Sequence, residues 1–478
     1  MSTQLLRAEK EASVQKVNKD NHPFIPNTSE NIRRKMLEAI GVASIEELYS
    51  DIPAEVRVNH PLKVPGFNSE QEVLAHIESL LSQNRSAKDI PTFLGAGLYN
   101  HYVPAAVKAI VSRVEFQTAY TPYQAEISQG LLQALFEFQS IMADLTGMEV
   151  VNSSLYDGSN AIGEAARMAA RSTGRRKILV PKCLHPDRLS VVRNYSEPSG
   201  IRVQTVDYDM KTGGVDLDDL ESKLDDETAA VYYEVPSFFG TLDSEAPKLP
   251  DKCHSKGALA IAGFDPISLG GLKSPGDYGA DIAVAEGQSV STEMNYGGPL
   301  LGIIGCRGES LVRQLPGRII GKTTTLDGKS PAYSMVLQTR EQHIRRERAT
   351  SNICTNEALL AIGAAAYLSL LGPHGLKQLF ETIKTKTEYA IMKLSQIPGL
   401  TVPLFKSHHY QEFVLAFDGI TASKVNARLL SEGIHGGRVL SSEFQDLGET
   451  SLLCVTEMTS KESIDRLSEK LRKILGGS

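Results

Sequence analysis

Cysteine is scarce. The 478 residues hold five, at Cys183, Cys253, Cys306, Cys354 and Cys454. None belongs to a CxxC pair, which argues against a structural zinc framework or a dithiol redox motif. Isolated in mixed or apolar runs, they read as small buried hydrophobes. An excess of positive charge is lacking too. Lys and Arg total 50 against 57 Asp and Glu, a formal net charge of -7, so no basic face of the kind nucleic acid requires is implied. The most apolar stretch, residues 358–371, is about half of what a membrane-spanning helix needs. The first residues, M-S-T-Q-L-L-R-A-E-K, are polar and unlike a signal peptide. The expectation is a soluble cytoplasmic protein. There is no Gly-x-Ser-x-Gly elbow, P-loop or dinucleotide fingerprint, and no internal repeat or low-complexity segment. The histidines, including His101, His185, His254, His343, His374 and the adjacent His408 and His409, have no metal-ligand spacing. Finally, no lysine occurs between Lys273 and Lys322.

What is present fits a chain able to bury a large core. Hydrophobic residues are 41% and charged residues 22%, and the length suggests roughly two to three domains. Residues 1–22 read as a mobile arm. Residues 23–89 read as helical: Thr28 or Ser29 can cap a helix ended by Gly41, and another amphipathic helix runs from Ser69 to Gln83. Residues 90–335 alternate short strands with helices. Strands are expected at 177–181, 202–206, 229–234, 258–262, 281–285 and 300–305, and helices at 131–145, 161–171, 186–193 and 216–224. That alternation indicates an α/β domain with a mainly parallel sheet covered on both faces. Residues 336–478 carry a charged helical stretch at 340–348, helices at 358–371 and 375–395, and then strands and helices of a smaller α+β domain.

Four places invite chemistry. Gly158-Ser159-Asn160 stands at a helix start after a short segment. It has the form of a phosphate cradle, but sequence physics alone favours a helix capped by Ser159 or Asn160. Two irregular aromatic stretches, Leu98–Val103 and Thr118–Glu126, contain Tyr99, His101, Tyr102, Tyr120 and Tyr123. Loops carry binding residues, although each ring can equally be buried with its hydroxyl on backbone. Asp265 follows an apolar strand, where the ligand crevice of an open parallel sheet lies; it could also cap a turn. The stretch Asp281–Gly298 begins as a strand and ends in a glycine pair.

Phe24-Ile25-Pro26, the segments Phe93–Gly97 and Tyr99–Pro104, Thr118–Gln124 with Glu126–Gly130, Asp265–Leu269, Glu286-Gly287-Gln288, and Arg340–Glu347 with Thr350–Thr355 resemble the glycine cleavage system P-protein. The resemblance runs from about residue 23 to the C-terminus. It implies the aspartate-aminotransferase-like fold, that of pyridoxal-phosphate-dependent transferases of fold type I, with a helical N-terminal arm and a C-terminal α+β small domain. It also implies glycine dehydrogenase (aminomethyl-transferring) activity: glycine is decarboxylated with pyridoxal 5'-phosphate and the aminomethyl group passes to lipoylated H-protein. In split forms of the family this chain is similar to subunit 1, in a heterotetramer with a lysine-bearing subunit 2. Ser289 stands near the position of the Schiff-base lysine, and serine cannot form the internal aldimine. Ser159, Asn160 and Asp265 are then vestiges of a cofactor site, or structural, with the cofactor held covalently by the partner. Tyr99, His101, Tyr120 and Tyr123 are the residues expected to contribute to an active-site mouth at the subunit interface. Two alternatives remain open: an independent pyridoxal enzyme using Lys273 or Lys322, and a non-catalytic structural or regulatory subunit.

Overall fold

The computed structural model describes residues 24–476 apart from residues 59, 61, 65, 67, 68, 119, 120 and 355. The arm expected over residues 1–22, and Tyr120, lie outside the described residues. The chain divides into two compact units between Asn84 and Arg85. In the first, helix α1 (Glu30–Ile40) starts at Ser29, whose hydroxyl accepts from Ile32 N, and stops at Gly41 in the left-handed region at φ 89°. Helix α2 (Glu70–Leu81) is capped by Ser69 in the same way. The cap at Ser29 and the stop at Gly41 are where the sequence placed them. Neither helix buries a residue, although both carry apolar side chains such as Met36, Ile40, Val73, Leu74 and Leu80.

The second unit is built on a seven-stranded sheet. Its main elements in chain order are α3 (Ala105–Val111), α4 (Gln129–Thr146), β1 (Val150–Val151), α5 (Gly158–Thr173), β2 (Lys177–Pro181), α6 (Pro186–Ser196), β3 (Arg202–Val206), α7 (Leu217–Lys223), β4 (Thr228–Val235), α8 (Leu249–Ser255), β5 (Leu259–Phe264), β6 (Ile282–Glu286) and β7 (Gly302–Cys306). The spatial order is β1-β7-β6-β5-β4-β2-β3. The strands from β6 to β3 are parallel, while β7 runs antiparallel to β6 and to β1. Alternate residues serve opposite faces, as the pleat requires. Ile282 and Val284 of β6 join a core with Ala161, Ala165 and Met168 of α5. Ala283 and Ala285 face the other way, into a core with Leu132, Leu135 and Met142 of α4. Both faces being covered explains why these strands are apolar throughout.

Beyond this sheet the chain forms a hairpin of β8 (Ile319–Thr324) and β9 (Pro331–Val336), paired from Ile319↔Val336 to Thr324↔Pro331. The pattern of the sequence did not indicate it. The charged stretch 340–348 is not one helix. It is a four-residue turn of α-helix, Gln342–Arg345, between two 3₁₀ turns, broken at Arg346 with φ 52°. No apolar stripe holds it, and Arg340 Nε and Arg345 Nε donate to the Leu337 and Thr339 carbonyls, offering the backbone an alternative to helix.

Helix α9 (Ala358–Leu394) joins the two helices expected at 358–371 and 375–395. It is kinked at Gly372 (φ 59°, ψ -176°), just before Pro373, where proline removes a donor and clashes with the preceding turn. At 37 residues it is long and apolar enough to cross a membrane by length and composition, yet half of its most apolar window is buried in the protein. Its residues Leu360, Ala361, Ala364 and Leu368 pack in the α4 core, so it reads as a core helix. The small domain then adds β10 (Leu400–Thr401), β11 (Glu412–Phe417), α10 (Ala422–Ser431), β12 (Arg438–Val439), β13 (Thr450–Cys454) and α11 (Lys461–Gly476). Its antiparallel sheet has the order β10-β11-β13-β12, with Phe413 and Leu415 packed on Val425, Leu429, Leu467 and Leu471. The loop entering from Phe93 is tied to this sheet, since Phe93 N donates to His435 O and Cys454 N donates to Phe93 O.

Candidate functional site

The carboxyl ends of β4, β5 and β6 converge beneath the start of β11. Between them lies a cavity of about 60 Å³, lined among others by Tyr99, Arg188, Glu234, Asp265, Glu286, Tyr410, Gln411 and Glu412. This is where an open parallel sheet binds its ligands. Each strand delivers an acid at its end: Glu234 closes the buried run V-Y-Y-E and Glu286 closes A-V-A-E, while Asp265 follows Phe264.

Helix α5 points its N-terminus at this crevice. Its cap is Asp157, whose carboxylate accepts from Asn160 N at 2.8 Å and from Asn160 Nδ2 at 2.6 Å. Ser159 and Asn160 are therefore in the first turn rather than at the cap position, and Asn160 Oδ1 is engaged by the Tyr195 hydroxyl. The free N–H of Gly158 is taken by Glu286 Oε2 at 2.9 Å. Glu286 Oε1 accepts from Gln288 N and Leu301 N, both at 2.9 Å. Burial pushes this carboxyl up to about 7, against the three N–H groups that pull it down. A helix N-terminus favours an anion, and here the chain's own carboxylate supplies it. A β-carbon on Gly158 would lie 3.0 Å from Glu286 N, so glycine is what allows the approach.

The cavity walls are tied together by ions and hydroxyls. Arg188 Nη1 donates to Glu234 Oε1 at 2.7 Å, and the Tyr232 hydroxyl donates to the same oxygen at 2.7 Å. Glu412 accepts from Ala96 N at 2.6 Å and from the Tyr99 hydroxyl at 2.9 Å. Burial raises Glu412 to about 7 despite those donors, and burial together with Glu412 raises Tyr99 well above the ordinary phenol. Asp265 Oδ1 accepts from Ser268 N at 2.8 Å; burial raises its pKa, partly offset by His101. His101 is 4% exposed and places Nδ1 2.7 Å from Glu457 Oε2, while Tyr102 N donates to Glu457 Oε1 at 2.6 Å. Burial raises Glu457, but His101 and the N–H donors outweigh it and leave the carboxyl below its ordinary range.

The residues expected from sequence are thus distributed. Tyr99 lines the cavity and His101 is buried near Asp265, within this chain rather than on an open face. Tyr123 lies elsewhere, 51% exposed, with its ring 5.8 Å from His343 and 5.7 Å from the Arg318 guanidinium. Ser289 is buried and its hydroxyl has no partner. Lys273 and Lys322 are exposed and neither lines the cavity. Arg188, Glu234, Tyr410, Gln411, Glu412 and Glu457 were not singled out from sequence. The signal available was an acid closing an otherwise apolar strand, as in V-Y-Y-E. Of the cysteines, four are buried and Cys354 is exposed. No group of metal-ligating side chains occurs among the described residues.

The residues of this crevice do not fit pyridoxal phosphate. The helix N-terminus that would take a phosphate is occupied by Glu286, the positions after β6 are Gln288 and Ser289, and Arg188 with Glu234 crosses the floor.

The sequence model of the family described as glycine cleavage system P-protein matches residues 22–471. A relative from Staphylothermus marinus, named probable glycine dehydrogenase (decarboxylating) subunit 1, is 48% identical over 95% of this chain and 99% of its own length. Among solved structures, the crystal structure of a glycine decarboxylase (P-protein) of the glycine cleavage system, in inhibitor-bound form, superposes with a TM-score of 0.83 at 37% identity, covering 95% of this chain and 100% of that one. A sphingosine-1-phosphate lyase from Burkholderia pseudomallei superposes at 0.64 with 16% identity, over 88% and 94% of the two chains, which speaks for the fold alone. The fold is the aspartate-aminotransferase-like one expected, and with a match of this length the chain belongs to the glycine cleavage system P-protein family.

Proposed function

We propose that this chain is the subunit-1 component of a two-chain glycine decarboxylase of the glycine cleavage system, and that a partner subunit 2 supplies the Schiff-base lysine and holds pyridoxal 5'-phosphate covalently. The observation that carries the reading is the Glu286 carboxylate on Gly158 N–H, together with Gln288 and Ser289 where a lysine would stand. A chain whose crevice rejects the cofactor contributes by shaping and completing a site on another chain. The assembly proposed is two of each subunit, in the cytoplasm, with lipoylated H-protein receiving the aminomethyl group.

Within such an assembly the loops around Tyr99–Tyr102 and Thr118–Glu126 are the part assigned to the mouth, with Tyr123 exposed. Tyr99 and His101 act from behind, holding the loop through Glu412 and Glu457. The experiment is borohydride reduction in the presence of pyridoxal phosphate, on this chain alone and on the co-purified pair. A reduced lysyl adduct is expected on the partner only, with carbon dioxide release from glycine by the pair and not by either chain alone. An adduct on Lys273 or Lys322, with decarboxylation by this chain alone, refutes the reading.

A further inference from the structure

Gln288 lies just past the end of β6, in the run A-V-A-E-G-Q, next to Ser289. Its side chain is buried, and both ends of the amide are engaged. The amide oxygen accepts from Tyr99 N at 3.2 Å, and the amide nitrogen donates to Tyr99 O at 3.3 Å and to Thr292 O at 2.8 Å. One side chain thus holds Tyr99 by its backbone N–H and by its carbonyl. A primary amide can accept and donate at once, whereas a carboxylate only accepts and an ammonium only donates. The brace is itself anchored. Gln288 N donates to Glu286 Oε1, and Glu286 Oε2 accepts from Gly158 N. A continuous set of bonds therefore runs from the start of α5, across the end of β6, to the Tyr99 backbone.

Tyr99 is the pivot of its loop. Its carbonyl also accepts from His101 N at 3.1 Å, which turns the chain. The small domain secures the flanks. Glu412 accepts from Ala96 N, Thr456 Oγ1 donates to Asn100 O, and Glu457 Oε1 accepts from Tyr102 N. Within those ties His101 and Val103 are buried, and Tyr102 between them is 59% exposed. Each residue has only two soft dihedrals, so holding Tyr99 at both backbone groups restricts where Tyr102 points. A rigidly held, outward aromatic suits contact with another chain. We propose that Gln288 is a positioning residue of the two-chain decarboxylase, which through the Tyr99 backbone sets the loop that presents Tyr102 to the site on the partner. This role rests on the subunit-1 reading above. It gives the strand end beside Ser289 a task of its own, one that a lysine at position 288, having no acceptor, could not perform.

The test joins hydrogen exchange on the full chain to steady-state decarboxylation of glycine by the co-purified pair loaded with pyridoxal phosphate. Gln288→Met keeps the length of the side chain and loses the three bonds. Gln288→Glu keeps an acceptor for Tyr99 N. In the chain alone, Gln288→Met should speed exchange of the Tyr99 amide at least about tenfold, the effect of one unmade buried bond, while the amides of β4 and β5 stay protected. In the pair, its kcat/KM should fall about 10- to 100-fold, with KM for glycine raised and with pairing and cofactor content per pair unchanged. Gln288→Glu should lose less. Adding Tyr102→Ala to Gln288→Met should cost no more than the larger single effect, because both act through one side chain. Unchanged exchange at Tyr99, wild-type kcat/KM in the Gln288→Met pair, additive losses in the double variant, or a loss matched by fewer assembled pairs at constant KM would each overturn the assignment. A wild-type pair that releases no carbon dioxide instead fails the two-chain reading, so the unmutated control tells the two failures apart.

Discussion

Replacing Glu286 by alanine removes the acceptor of three backbone donors, Gly158 N, Gln288 N and Leu301 N, each at 2.9 Å. A buried donor left without a partner costs about 1–3 kcal/mol. Three of them place Glu286→Ala at roughly 3–6 kcal/mol, allowing for some rescue by water. Glu286→Gln keeps an oxygen for Gln288 and Leu301 but turns its NH₂ toward Gly158 N–H, so it should lose one bond rather than three, about 1–3 kcal/mol. Hydrogen exchange separates these cases by residue. At about 1.4 kcal/mol per tenfold, the alanine variant should speed exchange at all three amides by roughly 5- to 100-fold, and the glutamine variant should do so mainly at Gly158. Phosphate provides a second arm. With the carboxylate gone, the helix N-terminus is free to take an anion, so inorganic phosphate should raise the unfolding midpoint of Glu286→Ala and leave wild type unmoved. Equal protection in wild type and Glu286→Ala, or a phosphate response in wild type, would mean that Glu286 does not plug the helix.

Four further outcomes follow from the same geometry. Introducing lysine as Ser289→Lys should produce no borohydride-reducible adduct with pyridoxal phosphate, because Glu286 still holds the phosphate position; mass spectrometry of the reduced chain decides it. Glu412, raised to about 7 from the ordinary 4.5, contributes stability that is present below the unfolded-state value and lost as pH rises through the folded one. Stability should therefore fall between about pH 4.5 and 7, and Glu412→Gln should flatten that part of the profile, by on the order of 3 kcal/mol, measured by denaturant unfolding across pH. Gly240→Ala would set a β-carbon 1.9 Å from the Glu412 carbonyl oxygen at a φ of +74°; a loss of about 3 kcal/mol or more is expected, read as a lowered melting temperature. Asp157→Ala removes the α5 cap and should cost about 1 kcal/mol in the same measurement.

The fold was legible where one physical rule acted alone. Strands buried on both faces announce themselves as short apolar runs, and β2 occupies the residues the sequence assigned. The cap at Ser29 and the stop at Gly41 follow from side-chain chemistry and from the left-handed conformation. Legibility failed where rules competed. Pro373 reads as a stop, but Gly372 absorbs the conformational cost and packing on both sides keeps α9 continuous. The hairpin of β8 and β9 has exposed, polar ends and so lacks the pattern of a half-buried strand. The stretch 340–348 has helix-forming residues with no apolar stripe, and its arginines bond to backbone instead.

At the site, single residues were visible and their pairing was not. Asp265 and the Gly158 turn could be placed at the crevice because strand ends and helix starts meet there by topology. That Glu286, 128 positions away, would reach Gly158 follows from α5 packing across β6, which no local pattern encodes. The same holds for Tyr99 with Glu412, 313 positions apart. The content of the crevice is then the more telling fact. A redundant cofactor cleft would be stabilised most by apolar filling, since buried ion pairs seldom outdo well-packed hydrophobes. This one instead confines Glu234, Asp265, Glu286 and Glu412 around a single arginine, and the carboxyls of Glu286 and Glu412 pushed up to about 7 register the cost. Glu286 answers a local need, the empty helix N-terminus.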